Sequence, residues 1–209
     1  AYSLRPVGTR SPMSKSAFFL DRDGVIVREV NYLHKPEDVE LIGQAAKAIK
    51  LINQAGYPVV IITNQAGVAR GFYSETQVSE INAYILAKLE EGGARIDKVY
   101  YCPHHPTAGK EQYLKDCQFR KPNPGMLIRA AKELDLDLEA SVFIGDNFSD
   151  VLAGQNAGTK TILVKTGYGE KVLANPEHVD LNPDALCDDL IGAVTHCFDS
   201  GWFKRGLRW

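Results

Sequence analysis

Five short apolar runs, Ala17 to Leu20, Val59 to Thr63, Lys98 to Tyr101, Val142 to Gly145 and Thr161 to Val164, alternate along this chain with segments that read as helices. No other feature narrows the fold as far. Alternation of this kind indicates an α/β fold built on a parallel sheet, a Rossmann-like three-layer arrangement. One intervening helix starts at Ser74, whose hydroxyl caps it while Gln77 reaches back, with an apolar stripe of Val78, Ile81, Ile85 and Leu89. Another is expected from about Gln44 to Ala55, with Ile49 and Ile52 inward and Gly56 ending it in the left-handed conformation.

In an open parallel sheet the ligand sits beyond the carboxyl ends of the strands. Here those ends are followed by Asp21-Arg22-Asp23-Gly24, by Thr63-Asn64-Gln65, by the loop leading to Arg120-Lys121-Pro122, and by Gly145-Asp146-Asn147. Taken alone, Asp21 to Gly24 reads as a surface turn, Thr63 as a helix cap and Lys121 as a solvated lysine. Their shared edge reverses each of those readings. Two carboxylates two residues apart at a strand end can share one magnesium ion and leave one to attack phosphorus, since side chains at i and i+2 of an extended segment point the same way. A calcium loop of the EF-hand kind is excluded, because Val25, Ile26 and Tyr32 stand where it needs an oxygen ligand, glycine and glutamate.

The 209 residues are 44% hydrophobic, enough for one substantial core, and no shift in composition marks a second full domain. The domain is expected over 15–198 with a loop insertion at 102–120, a flexible extension at 1–14 and a tail at 199–209. Lys and Arg number 24 against 26 Asp and Glu, so no nucleic-acid or anionic-membrane footprint is expected and a small ligand is the natural partner. No apolar stretch is long enough to span a bilayer, which makes a cytoplasmic monomer the expectation. Of the four cysteines, Cys187 and Cys197 read as small core residues at helical spacing around Leu190, Ile191 and Val194, whereas Cys102 and Cys117 lie in a polar loop. In the tail, Trp202, Phe203 and Trp209 are expected to pack on the domain.

Four elements in the order LDRDG, TNQ, RKP and GDNFSD resemble the motifs of the haloacid-dehalogenase superfamily of aspartate-nucleophile phosphatases. The longer segments FFLDRDGVI, ITNQAGVARGFYSE, YYCPHHP, CQFRKPNPGM and FIGDNFSDVLAGQNAGTKTILVKTG are similar to bacterial heptose bisphosphate 7-phosphatases and related histidinol-phosphate phosphatases. The resemblance covers about residues 17 to 168. It implies that Asp21 attacks phosphorus, that Asp23 protonates the leaving oxygen and then activates water, and that magnesium is held by Asp21, the Asp23 carbonyl and Asp146, with Asp150 behind them. It further implies that Thr63 and Lys121 act on the phosphoryl group and that Arg120 grips a second phosphate, as its bidentate fork allows.

Substrate contacts are implied for Glu29, Val30, Asn31 and Tyr32, for Asn64, Gln65 and Ala66, and at Asn147, where the family commonly has lysine. No insertion is long enough for the large cap domain of many relatives. The resembling families hold the loop from Cys102 to Cys117 with zinc; Cys102, His104 and Cys117 match three ligands, while Phe119 falls on the fourth. A three-ligand remnant binds weakly unless His105 or water completes it. The expected activity is magnesium-dependent hydrolysis of a phosphorylated sugar, heptose 1,7-bisphosphate at its 7-phosphate. Histidinol phosphate or another phosphomonoester as substrate, and a ligand-binding relative without turnover, are the alternatives.

Overall fold

The computed structural model describes residues 14–206. The extension expected over 1–14 therefore falls, apart from Ser14, outside the described residues, as does Trp209. Five strands form where the apolar runs lie: β1 (Phe18–Leu20), β2 (Val59–Asn64), β3 (Lys98–Cys102), β4 (Val142–Gly145) and β5 (Lys160–Val164). Between and after them come α1 (Ala45–Gln54), α2 (Glu75–Glu91), α3 (Gly125–Leu134), α4 (Phe148–Ala157) and α5 (Gly169–Ala174). The Ser74 and Gln77 capping box opens α2, and Gly56 takes a φ of +85° after α1.

A sixth strand, β6 (Ala185–Cys187), precedes α6 (Leu190–Asp199) and was not legible in the sequence. It is three residues long, lies at the sheet edge and leaves Leu186 in solvent, so it carries no continuous apolar run. Cys187 is consequently a half-buried strand residue rather than a helical one, whereas Cys197 is fully buried on α6.

The strands are all parallel, in the order β3-β2-β1-β4-β5-β6. Successive strands step outward from β1 on one side and then restart at β4 on the other, which places the topological switch point between β1 and β4. The period of two along β1 divides the core into two faces. Phe18 and Leu20 join α1, α2 and α6 on one face, while Ala17 and Phe19 join α3 and α4 on the other. The tail completes the first face, with the buried Phe203 ring 4.1 Å from that of Phe18. No large cap domain covers the carboxyl edge among the described residues, and no described helix is long and apolar enough to cross a membrane.

Candidate active site

β1 and β4 deliver Asp21 and Asp146 to the switch point, and the first turn of α4 adds Asp150. One oxygen from each of these three buried carboxylates lies within 4.8 Å of the others. Lys121, also buried, enters from the loop before α3, with its Nζ 2.8 Å from Asp21 Oδ1, 2.6 Å from Asp150 Oδ1 and donating to the Ile62 carbonyl at 3.0 Å. Burial alone would lower the lysine pKa; Asp150 and then Asp21 outweigh it and hold the ammonium charged.

One cation among three carboxylates is too little. Burial, followed by the Asp21 and Asp150 charges, pushes Asp146 up to about 9. Asp21 is pushed up to about 7 by burial, against the lowering effect of Lys121 and with Asp150 and Asp23 adding to the rise. Hard oxygen donors converging with unneutralised charge suit a magnesium-sized divalent cation. The approach is tight around Asp146: a Cβ on Gly24 or on Gly167 would fall 2.0 Å from its Oδ2, and both glycines have positive φ. The same oxygen accepts from the Tyr168 backbone N at 2.7 Å.

The backbone after β1 is not the extended segment that the sequence suggested. The strand ends at Leu20 and the backbone bends at Arg22, so Asp21 and Asp23 flank a bend, and Ile26 N and Val27 N both donate to the Arg22 carbonyl at 3.0 Å in the turn that follows. Their carboxylates accordingly find different side-chain partners. Asp23 accepts from Arg22 Nε and NH2, each at 3.1 Å, and from Gln65 Nε2 at 3.0 Å. Its side chain stays outside the three-carboxylate group, whose third member is Asp150, a residue the sequence reading had set behind the ligands.

Asp21, Asp23, Thr63 and Lys121 border one cavity of about 430 Å³, together with every expected substrate residue except Val30. Val30 lies on an outer groove instead. Asn64 spends its side chain on the backbone of Lys121, donating to the carbonyl at 3.0 Å and accepting from the amide at 3.1 Å, and so fixes the lysine. Gln65 donates to Thr63 Oγ1 as well as to Asp23, and Tyr73 Oη donates to Gln65 Oε1 at 2.8 Å. Asn147 caps α4 and donates its backbone N to Asp150 Oδ2 at 3.0 Å.

Glu29, Asn31 and Tyr32 form the rim. Asn31 and Tyr32 both have left-handed backbones, held in part by the bond from Tyr168 Oη to Asn31 Oδ1 at 2.9 Å. Tyr32 also meets Phe72 edge to face at 4.6 Å. Arg120 is half-buried and donates to the His104 carbonyl at 3.1 Å. Sequence reasoning missed Arg22, Tyr73, Phe148 and Tyr168 among the cavity residues. Only the adjacency of Arg22 to two aspartates hinted at any of them.

In the neighbouring loop, one donor atom each from Cys102, His104 and Cys117 lies within 4.8 Å of the other two. The Cys102 Sγ is 3.6 Å from His104 Nδ1. Burial pushes the Cys102 thiol up to about 12 in spite of the His104 backbone, and Cys117 adds to the rise. Phe119 packs into the apolar cluster with both cysteines. His105 turns elsewhere: its Nδ1 accepts from the Thr107 and Ala108 amides, and its Nε2 faces Arg70.

A parallel sheet with the 3-2-1-4-5-6 order, carrying an aspartate on its first strand end and an acidic loop and buried lysine beside it, defines a haloacid-dehalogenase-type phosphatase. Residues 118–193 match the HAD-hydrolase-like family model. Over 151 residues, 72% of this chain and 82% of the relative, the sequence is 46% identical to the D-glycero-alpha-D-manno-heptose-1,7-bisphosphate 7-phosphatase of Photorhabdus laumondii. It is 44% identical over 154 residues, 73% and 83% of the two chains, to the beta-heptose enzyme of Pasteurella multocida. The crystal structure of the D,D-heptose 1,7-bisphosphate phosphatase of B. bronchiseptica, complexed with magnesium and phosphate, superposes with a TM-score of 0.78 at 30% identity, covering 89% of this chain and 99% of that one. The chain belongs to the family of D-glycero-D-manno-heptose-1,7-bisphosphate 7-phosphatases, phosphoric monoester hydrolases of the haloacid-dehalogenase type.

Proposed function

We propose that the protein removes the 7-phosphate of D-glycero-D-manno-heptose 1,7-bisphosphate through an aspartyl-phosphate intermediate, in the cytoplasm and as a monomer. The observation that carries the chemistry is Asp21 at the switch point, paired with buried Lys121 beside Asp146 and Asp150. An Asp21 oxygen attacks phosphorus, the bond to the sugar oxygen breaks, and Asp23 gives that oxygen its proton. Asp23 then takes a proton from water, which attacks the phosphorus and releases Asp21 and inorganic phosphate. Lys121 and the Thr63 hydroxyl serve the equatorial oxygens, with Lys121 countering the charge that spreads over them in the transition state.

Asp21, Asp146 and the Asp23 carbonyl would hold magnesium, with Asp150 beside them; when bound, the ion offsets repulsion between the phosphate and the carboxylates and polarises the phosphoryl group. Glu29, Val30, Asn31, Tyr32, Asn64, Gln65, Ala66, Arg120 and Asn147 belong in this reading to sugar recognition. Support for the substrate comes from the names of the similar enzymes. Free cysteines suit a reducing compartment.

Zinc belongs to the proposal as a structural ion on Cys102, His104 and Cys117, with water rather than His105 completing the set. Elemental analysis of untagged protein should find close to one equivalent; less than about a tenth would overturn the assignment. The activity itself is tested by specificity constants across a panel of phosphate esters with magnesium. The heptose bisphosphate should lead, and histidinol phosphate in first place would refute the substrate.

A further inference from the structure

Arg22 is among the largest fully buried side chains, 1% exposed. A buried ion pair rarely adds net stability over apolar packing, so stability gives little reason for a guanidinium here. Its bonds suggest another reason. The backbone N donates to Asp21 Oδ1 at 2.8 Å, while Nε and NH2 fork onto the two oxygens of Asp23. One residue thus bonds both carboxylates that the chemistry employs. The remaining arm, NH1, donates at 2.8 Å to Asn82 Oδ1 on α2, sixty positions away.

Resting on the phosphatase reading above, we propose that Arg22 and Asn82 form a positioning relay that aims Asp23 at the leaving oxygen. Asn82 holds the guanidinium plane, the guanidinium holds the carboxylate plane, and Gln65 bonds Asp23 Oδ2 from the β2 side. A fork of two parallel donors fixes direction as a single ammonium does not. Anchoring that fork to a helix keeps it from following the bend after β1. Neither residue touches the phosphoryl group in this scheme; both act through Asp23.

Such a role has a signature that general loosening of the site lacks. A sugar alkoxide is a strong base and leaves only with a proton from Asp23, whereas p-nitrophenolate leaves unaided. The constant kcat/KM reports the steps up to phosphoryl transfer onto Asp21, and kcat also includes hydrolysis of the intermediate, where Asp23 activates water for either substrate. Asn82→Ala should therefore lower kcat/KM for a primary sugar phosphate by about 10- to 30-fold and for p-nitrophenyl phosphate by less than about 3-fold. It should lower kcat for both.

Asn82 is half-buried in a helix, where alanine is well tolerated, so the variant is expected to melt close to wild type. Arg22→Lys keeps the charge without the fork and should show the same split more strongly, while Asn82→Asp keeps an acceptor and should restore most of the loss. An equal fall in kcat/KM for both esters in the Asn82→Ala protein, or no fall with the sugar phosphate, overturns the relay. Wild-type protein inert toward both esters with magnesium would instead remove the phosphatase reading on which it stands.

Discussion

The two ends of the cavity are built on opposite principles. At the floor, Asp21, Lys121, Asp146 and Asp150 are all buried: Lys121, from the loop before α3, pairs with Asp21 and Asp150, while strand ends deliver Asp21 and Asp146 and the first turn of α4 delivers Asp150. At the rim, Asn31 and Tyr32 lie in a loop with left-handed backbones, Tyr32 is 38% exposed, and its aromatic neighbour Phe72 is 55% exposed. The floor suits a group that never varies, phosphorus with its oxygens. The rim suits the part of the substrate that differs between relatives, and the alpha- and beta-heptose enzymes indeed match this chain almost equally, at 46% and 44% identity. Fold and motif thus define phosphoryl chemistry, while in the proposed reading the choice of sugar is left to a few exposed side chains.

The contrast can be broken most severely at the floor. Asp21→Asn removes the nucleophile with little change in volume, and kcat should fall by at least about 10³-fold on every ester while the protein stays folded. Retained turnover in steady-state assays would refute the assignment. Lys121→Met comes next, with a loss of about 10²- to 10³-fold in kcat. Because it leaves buried carboxylates without their cation, it should also destabilise the metal-free protein by about 3 kcal/mol, read from denaturant melts. An intact melt would mean that the lysine is not the partner the geometry shows.

At the rim, Tyr32→Ala should raise KM for the sugar phosphate by about 10-fold, with kcat changed by less than about 3-fold and p-nitrophenyl phosphate unaffected. Equal damage to both esters would erase the distinction between rim and floor. A last test concerns pH. Asp146 and Asp21 have folded pKa values near 9 and 7 against an ordinary 3.8, so each holds a proton that unfolding releases. Metal-free stability should therefore fall as pH rises from about 4 towards 9. Melting temperatures in chelator across that range should show the decline, saturating magnesium should flatten it, and Asp146→Asn should weaken it without metal.

Much of the floor could be read from sequence because it is local: Asp21 and Asp146 follow, and Thr63 lies within, runs buried on both faces, and such runs announce themselves by continuous apolarity. Lys121 follows no such run and was legible through the Arg120-Lys121-Pro122 motif instead. What escaped was set by contacts between distant residues. Arg22 meets Asn82 sixty positions away, and Asn64 turns from the cavity to the backbone of Lys121, neither of which leaves a periodic trace. The edge strand β6 escaped for the opposite reason, since three half-exposed residues hardly differ from a loop. The bend after β1 is hidden as well, because two aspartates at i and i+2 look alike on a strand or across a turn.

The central claim is that Asp21 carries the phosphoryl group. Protein quenched in acid during turnover and reduced with borohydride should, on peptide mass mapping, show an alcohol in place of the carboxyl at position 21 and at no other acidic residue. Reduction at another aspartate, or no trapped acyl phosphate with an enzyme shown to turn over under the same conditions, would contradict the account.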